Sequence, residues 1–401
     1  MRIAIIGAGA AGMAAAITAA ASGNNQVLLF ERQARVGRKL LATGNGRCNL
    51  SNRQTNASRY HGNNPDFVCG ALEAFPVETV LDFFQTLGLY TVTEDSGRVY
   101  PYSDQANSVV DVLRFALNRQ NIRLLTATEI ISVRKQGNCF RMKDQAGEQW
   151  ESDRLIITCG GAAGTKLGGG LSGYQLLRSL GHHCTKLFPS LVQLKTETEF
   201  VRALKGVRAN ASLRLTIHGS LLATASGEVQ FTDYGISGPA VFDLSRAAAT
   251  SEGTVLHLDL LPDYRGEDLL SALCIRVSRF PALLAEDLLT GILHNRLGRM
   301  IVKASGIALN EPLTALSWNA LTQVVALCHD LTLHVVGNMG MDGAQVTAGG
   351  AETMEFDPKT MQSRIVPGLY AAGEVLDIDG DCGGFNLQWA WSSGLLAGQL
   401  R

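Results

Sequence analysis

The chain has 401 residues, 46% of them hydrophobic, which is enough apolar material for two or three domains with buried cores. Lys and Arg number 35 against 36 Asp and Glu, and a net charge of −1 gives no global attraction to nucleic acid or membrane. Eight cysteines are scattered without a C-x-x-C pair, which argues against a zinc site and a disulfide framework, and with no transmembrane run or export signal the expected compartment is a reducing cytoplasm.

Met1–Ile6 is a short apolar run, Gly7-Ala8-Gly9-Ala10-Ala11-Gly12 opens an alanine-rich stretch, and Val27–Phe30 leads into Glu31. A strand, a G-x-G-x-x-G turn, a helix, a second strand and a terminal acid make a dinucleotide-binding βαβ unit. Gly7 serves the tight turn, Gly9 lets the backbone approach a pyrophosphate at the helix N-terminus, and Gly12 allows close helix–strand packing. Glu31 follows Gly12 by nineteen residues, near the offset of about 20 expected for a ribose-binding acid. Arg2 with Ile3–Ala21 also fits a signal peptide, but the glycine spacing, the second strand and Glu31 favour the nucleotide. The unit alone leaves FAD and NAD(P) open. A second match, Gly168–Gly173, is rejected because no strand immediately precedes it.

Residues 31–50 hold five basic side chains (Arg32, Arg35, Arg38, Lys39, Arg47) and one acid. Neutralising a diphosphate and adenosine ribose is the simpler role for this run; contacting the phosphates of an RNA is the sharper one. Helical spacing is expected over 66–88 and Ser108–Asn118. Strands are expected over Ile122–Val133 and Phe140–Trp150, the second a pair joined by an Asp-Gln-Ala-Gly turn, and over Arg154–Cys159, followed by a short helix at Tyr174–Leu180. Residues 190–260 alternate apolar and polar positions, as in half-buried antiparallel sheet, and Gly266 to about Leu327 is helical. A strand at Leu331–Val336 and a final helix near Leu387–Leu400 complete the chain. The expected fold class is α/β: a Rossmann-like FAD-binding domain of the glutathione-reductase type in two parts, 1–189 and 336–401. Between them lies a β-rich insert, 190–335, with a β part at 190–264 and a helical part at 265–328.

Pro367–Glu374 is a short apolar strand ending Gly373-Glu374. In FAD proteins of the glutathione-reductase type a Gly-Asp at such a strand end places its acid on the ribityl chain; Glu374 would replace it. Gly383 and Gly384 allow close backbone approach, Asn386 is a good N-cap for the last helix, and that helix would point its positive end at the flavin pyrimidine. These features decide for FAD over NAD(P). Thr158 and Gly160, ending the strand at 154–159, and Ile130, after Leu124–Ala127, fall where backbone groups of this fold touch the cofactor. The expected FAD contacts are therefore Gly7, Gly9, Ala11, Gly12, Glu31, Arg32, Lys39, Thr43, Gly44, Asn45, Ile130, Thr158, Gly160, Gly373, Glu374, Gly384 and Asn386. Binding is expected to be non-covalent.

Cys48, in Gly44-Asn-Gly-Arg-Cys-Asn49, is the catalytic candidate. It lies where thiol-disulfide flavoenzymes carry a C-x₄-C pair, but positions 43 and 53 are Thr43 and Arg53, so a dithiol relay at that spacing is ruled out. Arg47 beside it would lower its pKa, making it a proton donor or a charge-transfer thiolate; the alternative is a small buried thiol. Cys382 is expected near the same flavin. Gln230–Pro239 could form a substrate lid or a tight interdomain turn, and Arg98 and Tyr100 in Gly97–Pro101 could face the flavin or simply pack. Trp389 and Trp391 are expected in the core.

The segments GAGAAGMAAA, GRKLLATGNGRCNLSN, GRVYP, FTDYGISGPA and GLYAAGEVLDIDGDCGGFNLQWAWSSG together resemble the bacterial NAD(P)/FAD-dependent oxidoreductases of the BaiN/RdsA type. The resemblance spans nearly the whole chain and implies a two-part FAD domain interrupted by a β-rich insert with a helical subdomain. Family activities are heterogeneous: reduction of a ribosomal RNA uridine to dihydrouridine, aminoacetone oxidation, and steps of bile-acid metabolism. Two departures bear on substrate preference. Family members tend to read Gly-Ser-Thr-Gly-Asp-Gly-Tyr before Tyr174, where this chain has Gly168-Gly-Gly-Leu-Ser-Gly173 and no aspartate; Gln193 replaces a proline in Leu191–Leu194.

The leading expectation is an NAD(P)H-dependent flavin reductase of an activated C=C bond. Uridine in ribosomal RNA is the first substrate to test, and NAD(P)H docks transiently because the chain has no second βαβ unit. The rivals are an oxygen-dependent amine oxidase acting on a small molecule and a non-enzymatic flavin-stabilised RNA-binding protein.

Overall fold

The computed structural model describes residues 1–119 and 121–401. They form two compact units, Met1–Pro189 with Met341–Arg401, and Ser190–Gly340.

In the first unit the elements that frame the crevice are, in chain order, β1 (Arg2–Ile6), α1 (Ala10–Ala20), β2 (Gln26–Phe30), β3 (Ser51–Asn52), β4 (Arg98–Pro101), β5 (Ile122–Leu125), β6 (Arg154–Ile157), β7 (Leu369–Ala371) and α2 (Phe385–Gly398). Five strands make one parallel sheet in the order β7-β6-β1-β2-β5. Ile3 stands opposite Arg154 on one side and Val27 on the other. The chain order reverses at β1, so a crevice opens beyond the carboxyl ends of β1 and β6, the place where open α/β sheets bind ligands. The centres of the strands are apolar because the sheet is covered by α1 and by further chain such as Trp150, whose ring meets Phe30 at 5.3 Å; Ile3, Ala4 and Ile5 are fully buried.

The alanines of α1 serve contact with α2. A Cβ on Gly394 would lie 2.4 Å from the Ala11 carbonyl, and one on Gly398 would lie 2.6 Å from that of Ala15. Two helices touch here backbone to backbone, which only small residues four apart permit.

Two local expectations are corrected. The helix over 66–88 is two helices, Val68–Ala74 and Val77–Thr86, because Pro76 has no N–H to donate and holds Phe75 out of the helical region. The strand over 122–133 is also two. Ile122–Leu125 joins the parallel sheet, Ala127 turns with φ 51°, and Ile130–Gln136 enters a three-stranded antiparallel sheet with Cys139–Asp144 and Gln149–Ser152. The Asp144–Gly147 turn is closed by the Asp144 carboxylate, which accepts from the Ala146 and Glu148 N–H groups and from the Trp150 indole.

The second unit is a closed six-stranded barrel, antiparallel throughout, with helices Gly266–Arg279, Asn295–Ala304 and Trp318–His329. Leu215, Phe231, Leu256 and Leu258 are fully buried in its core. Gln230–Pro239 belongs to the barrel wall. Gln230 pairs with Ser237, Lys205 Nζ lies 2.7 Å from Asp233, and Gly238 (φ 112°) caps the helix Pro239–Ala249. Among the described residues no helix is long and apolar enough to cross a membrane.

Candidate active site

The glycine turn is stapled to the sheet from two sides. Gly7 N–H donates to the Phe30 carbonyl (2.8 Å). Thr158 N–H donates to the Ile6 carbonyl (2.9 Å) and its hydroxyl to the Gly7 carbonyl (2.8 Å). A Cβ on Gly12 would sit 1.8 Å from the Gly7 carbonyl oxygen, and one on Gly7 2.5 Å from that of Thr158, whereas one on Gly9 would meet no atom within 4 Å. Gly7 and Gly12 are thus demanded by the protein's own packing, and Gly9 faces open space. α1 starts after Gly9 without a side-chain cap, leaving its first-turn N–H groups to an external acceptor. The far end of the chain arrives here too: a Cβ on Gly373 would lie 2.9 Å from that of Ala11.

Glu31, half-buried at the end of β2, accepts from Ala8 N–H (2.9 Å) and Gln33 N–H (2.8 Å). The segment before Ile130 is tied to it, since Thr128 N–H donates to the Glu31 carbonyl (2.9 Å), and Ile130 is buried opposite Asp144. Arg32 turns to the carbonyls of Gly168 and Gly169 and lies 3.7 Å from Glu129. Gly160 (φ 72°) borders open space.

Lys39 and Glu374 meet at 2.7 Å. The other Glu374 oxygen accepts from Thr347 N–H at 2.9 Å, and the Gly161 backbone is pressed against both residues. The buried Tyr174 hydroxyl faces the Thr347 side chain, and burial, with the Glu374 charge adding to it, pushes its pKa well above the ordinary phenol range. Gly373 is held by Ser393, which accepts its N–H (3.0 Å), and by the Trp389 indole, which donates to its carbonyl (3.2 Å). Trp389 and Trp391 are buried. Sequence spacing gave no signal for Tyr174 or Thr347, because both act through contacts distant along the chain.

A third group gathers at the N-terminus of α2. Thr43 closes a turn by donating to the Leu40 carbonyl (2.7 Å), and Gly44 and Asn45 follow with φ 56° each. A Cβ on Gly44 would be 2.8 Å from Asn49 N and 3.3 Å from the Tyr100 ring. Asn49 Oδ1 is buried without a partner among the described residues and would be 2.8 Å from a Cβ on Gly384. Gly384, at φ 104°, is the N-cap of α2 and supplies no side-chain cap. The expected capping role of Asn386 is thereby corrected. Asn386 lies inside the first turn and clamps Gly380 instead, accepting its N–H (2.8 Å) and donating to its carbonyl (2.7 Å).

Cys48 is fully buried at φ 62°, its N–H donating to the Thr43 carbonyl (3.0 Å). Burial pushes its thiol up to about 12, opposite to the direction expected from Arg47. The Arg47 guanidinium is committed elsewhere: it pairs with Asp104 and Glu94 and covers the Tyr100 ring at 4.0 Å. A charge-transfer thiolate is not what this environment produces.

Comparison with known proteins agrees with this architecture. The family model described as HI0933-like protein Rossmann domain matches residues 1–400. The chain is 40% identical over 403 residues (99% of this chain, 98% of the relative) to the 3-dehydro-bile acid delta(4,6)-reductase of Clostridium scindens. It is 31% identical over 389 residues (97% and 95%) to the ribosomal RNA dihydrouridine synthase of Escherichia coli. Among solved structures, the 3-ketosteroid delta1-dehydrogenase of Sterolibacterium denitrificans shares the fold, with TM-score 0.50 and 12% identity over 99% of this chain and 98% of that one. The chain belongs to the HI0933-like Rossmann family.

Proposed function

We propose that this protein is an NAD(P)H-dependent flavoenzyme that adds hydrogen across a carbon–carbon double bond conjugated to a carbonyl. The observation that carries this is the chemistry shared by the names of its full-length relatives. A delta(4,6)-reduction beside a 3-oxo group and the conversion of uridine to dihydrouridine both saturate a C=C bond next to a C=O.

The residues present fit FAD. The open space at Gly9, the uncapped first turns of α1 and α2, and the unpartnered Asn49 Oδ1 form a cradle of unused donors and one unused acceptor. Glu31 keeps lone pairs for ribose hydroxyls, α1 takes the diphosphate, and Glu374, oriented by Lys39 and Thr347, takes the ribityl hydroxyls. Gly384 and Asn49 serve the pyrimidine end. When bound, FAD supplies hydride transfer. NAD(P)H docks transiently.

A small-molecule enone fits this chain better than an RNA. Three cations of the basic segment 31–50 are spent internally: Arg32 beside Glu129, Lys39 on Glu374, and Arg47 on Glu94 and Asp104. Little of that run is left to replace counterions on a phosphate backbone.

The test is anaerobic stopped flow on the purified holoenzyme. NADPH or NADH bleaches the visible flavin band, and a 3-oxo-4-ene steroid restores it, whereas uridine-containing ribosomal RNA restores it slowly or not at all. No bleaching by either coenzyme overturns the reductase reading, and peroxide formation with small amines replaces it with the oxidase.

A further inference from the structure

Arg98 is a cation that the cofactor assignment leaves unused. Its neighbours in the first unit are paired: Lys39 with Glu374, Arg47 with Glu94, Arg53 with Glu78 and Arg59 with Asp381. The half-buried Arg98 guanidinium makes no such pair among the described residues. Its direction is set by register. Arg98 stands opposite Asn52 in the β3–β4 pair, so the two side chains share a face, and Asn52 Nδ2 donates to the Gly383 carbonyl at 2.8 Å. Arg98 Nε lies 3.5 Å from where a Cβ on Gly383 would stand. Tyr100, two positions along, is on that same face, its ring against Gly44 and under Arg47. A guanidinium and a phenol thus lie side by side at the Gly383–Gly384 loop, next to the uncapped N-terminus of α2.

We propose that Arg98 and Tyr100 are the hydrogen-bond donors that hold the substrate's carbonyl oxygen. The assignment rests on the conjugated-carbonyl reading above. Hydride adds to the β-carbon, the π pair of the C=C bond moves onto the carbonyl oxygen to give an enolate, and a proton drawn ultimately from solvent goes to the α-carbon as the carbonyl re-forms; NAD(P)H is oxidised in balance. Negative charge grows on the oxygen during the hydride step, so fixed donors there act on the transition state more than on the ground state. A guanidinium keeps its charge at any working pH, and the phenol beside it donates a second, neutral hydrogen bond.

The experiment uses the FAD-loaded full chain and its Arg98→Met, Arg98→Lys and Tyr100→Phe variants, each first matched to wild type in FAD content. Calorimetric dissociation constants are measured for a 3-oxo-4-ene steroid and its 3-hydroxy counterpart, each with and without a side-chain carboxylate. Wild type prefers the ketone. Arg98→Met erases about tenfold of that preference and lowers kcat/KM about 100-fold, and Arg98→Lys recovers part of both. Equal weakening of ketone and alcohol makes Arg98 a structural support and overturns the proposal. A loss that follows the carboxylate shows that Arg98 reads an acid tail, which also overturns it. If wild type binds neither steroid, the conjugated-carbonyl reading itself falls, and this assignment falls with it.

Discussion

Lys39 Nζ lies 2.7 Å from Glu374 Oε2, joining residues 335 apart, and the two side chains are 32% and 20% exposed. The pair ties the segment after the first βαβ unit to the strand end that closes the sheet, and with the Thr347 N–H on the other oxygen it fixes the direction in which the remaining Glu374 lone pairs point. Glu374→Gln keeps the shape and removes the charge. We expect it to weaken FAD binding about tenfold, read by flavin fluorescence on the apoprotein, with little change in secondary structure. A double-mutant cycle with Lys39→Met should give a coupling of about 0.5–1 kcal/mol, since the pair is only partly buried. Wild-type FAD affinity in Glu374→Gln would remove the ribityl role.

Gly9 and Gly12 separate cofactor from protein. A methyl at Gly12 strikes the Gly7 carbonyl, so Gly12→Ala should destabilise the fold itself, by about 2 kcal/mol or more, even in the apoprotein. A methyl at Gly9 meets nothing, and its backbone, at φ −80°, suits any residue. Gly9→Ala should therefore leave apoprotein Tm within a degree or two of wild type (about 0.5 kcal/mol) while FAD binding falls sharply. Apoprotein Tm values that fall equally in the two variants would show that Gly9 is held by protein packing and not by a ligand.

The local parts of the site were legible because each is a short code. Gly7–Gly12 with Glu31, and Gly373-Glu374, state their geometry in consecutive residues. What escaped was tertiary. The Lys39–Glu374 pair, the Thr347 N–H that orients Glu374 and the Asn49 carbonyl beneath Gly384 join positions whose spacing carries no signal. Asn386 departs from expectation for a related reason: Asn is a strong cap, but the cap position is Gly384, where only a residue tolerating φ 104° and the close Ser51 carbonyl can stand, so the helix starts at Phe385 and Asn386 falls inside. The direction expected for Cys48 failed because adjacency to Arg47 along the chain says nothing of where the guanidinium goes.

The Cys48 thiol, pushed up to about 12 by burial, stays protonated through the working pH range. If it acts, it acts as a neutral proton donor. Iodoacetamide should not label it in the native holoenzyme at about pH 8, where an ordinary exposed thiol with pKa about 8.5 reacts readily. The flavin spectrum should show no long-wavelength charge-transfer band that titrates in that range. Rapid native labelling at Cys48 would refute the burial argument. Full turnover of a Cys48→Ser variant that retains FAD would dismiss the donor role.

His182 supplies a pH dependence unrelated to the flavin. Its imidazole is fully buried, stacked on Phe356 at 4.5 Å, with Nδ1 2.8 Å from Glu355 and Nε2 2.9 Å from the Ser363 hydroxyl. Burial lowers its pKa, and the bond to Glu355 only partly restores it. Burial alone would raise the Glu355 carboxyl, but hydrogen bonds from the His183 side chain and backbone and from His182 hold it below its ordinary value. In both cases the folded state binds a proton less readily than the unfolded chain. Each contribution to stability is therefore complete above the unfolded pKa, about 6.5 for His and about 4.3 for Glu, and is lost as pH falls through the folded value. Tm should hold between about pH 8 and 7, decline as the pH drops below about 6.5, and decline again in the carboxylate range. His182→Gln should lower Tm at neutral pH, because it unmakes a buried network, and flatten the first decline while leaving the second. A variant whose Tm falls with the same slope below neutrality as wild type would show that His182 is not the group responsible.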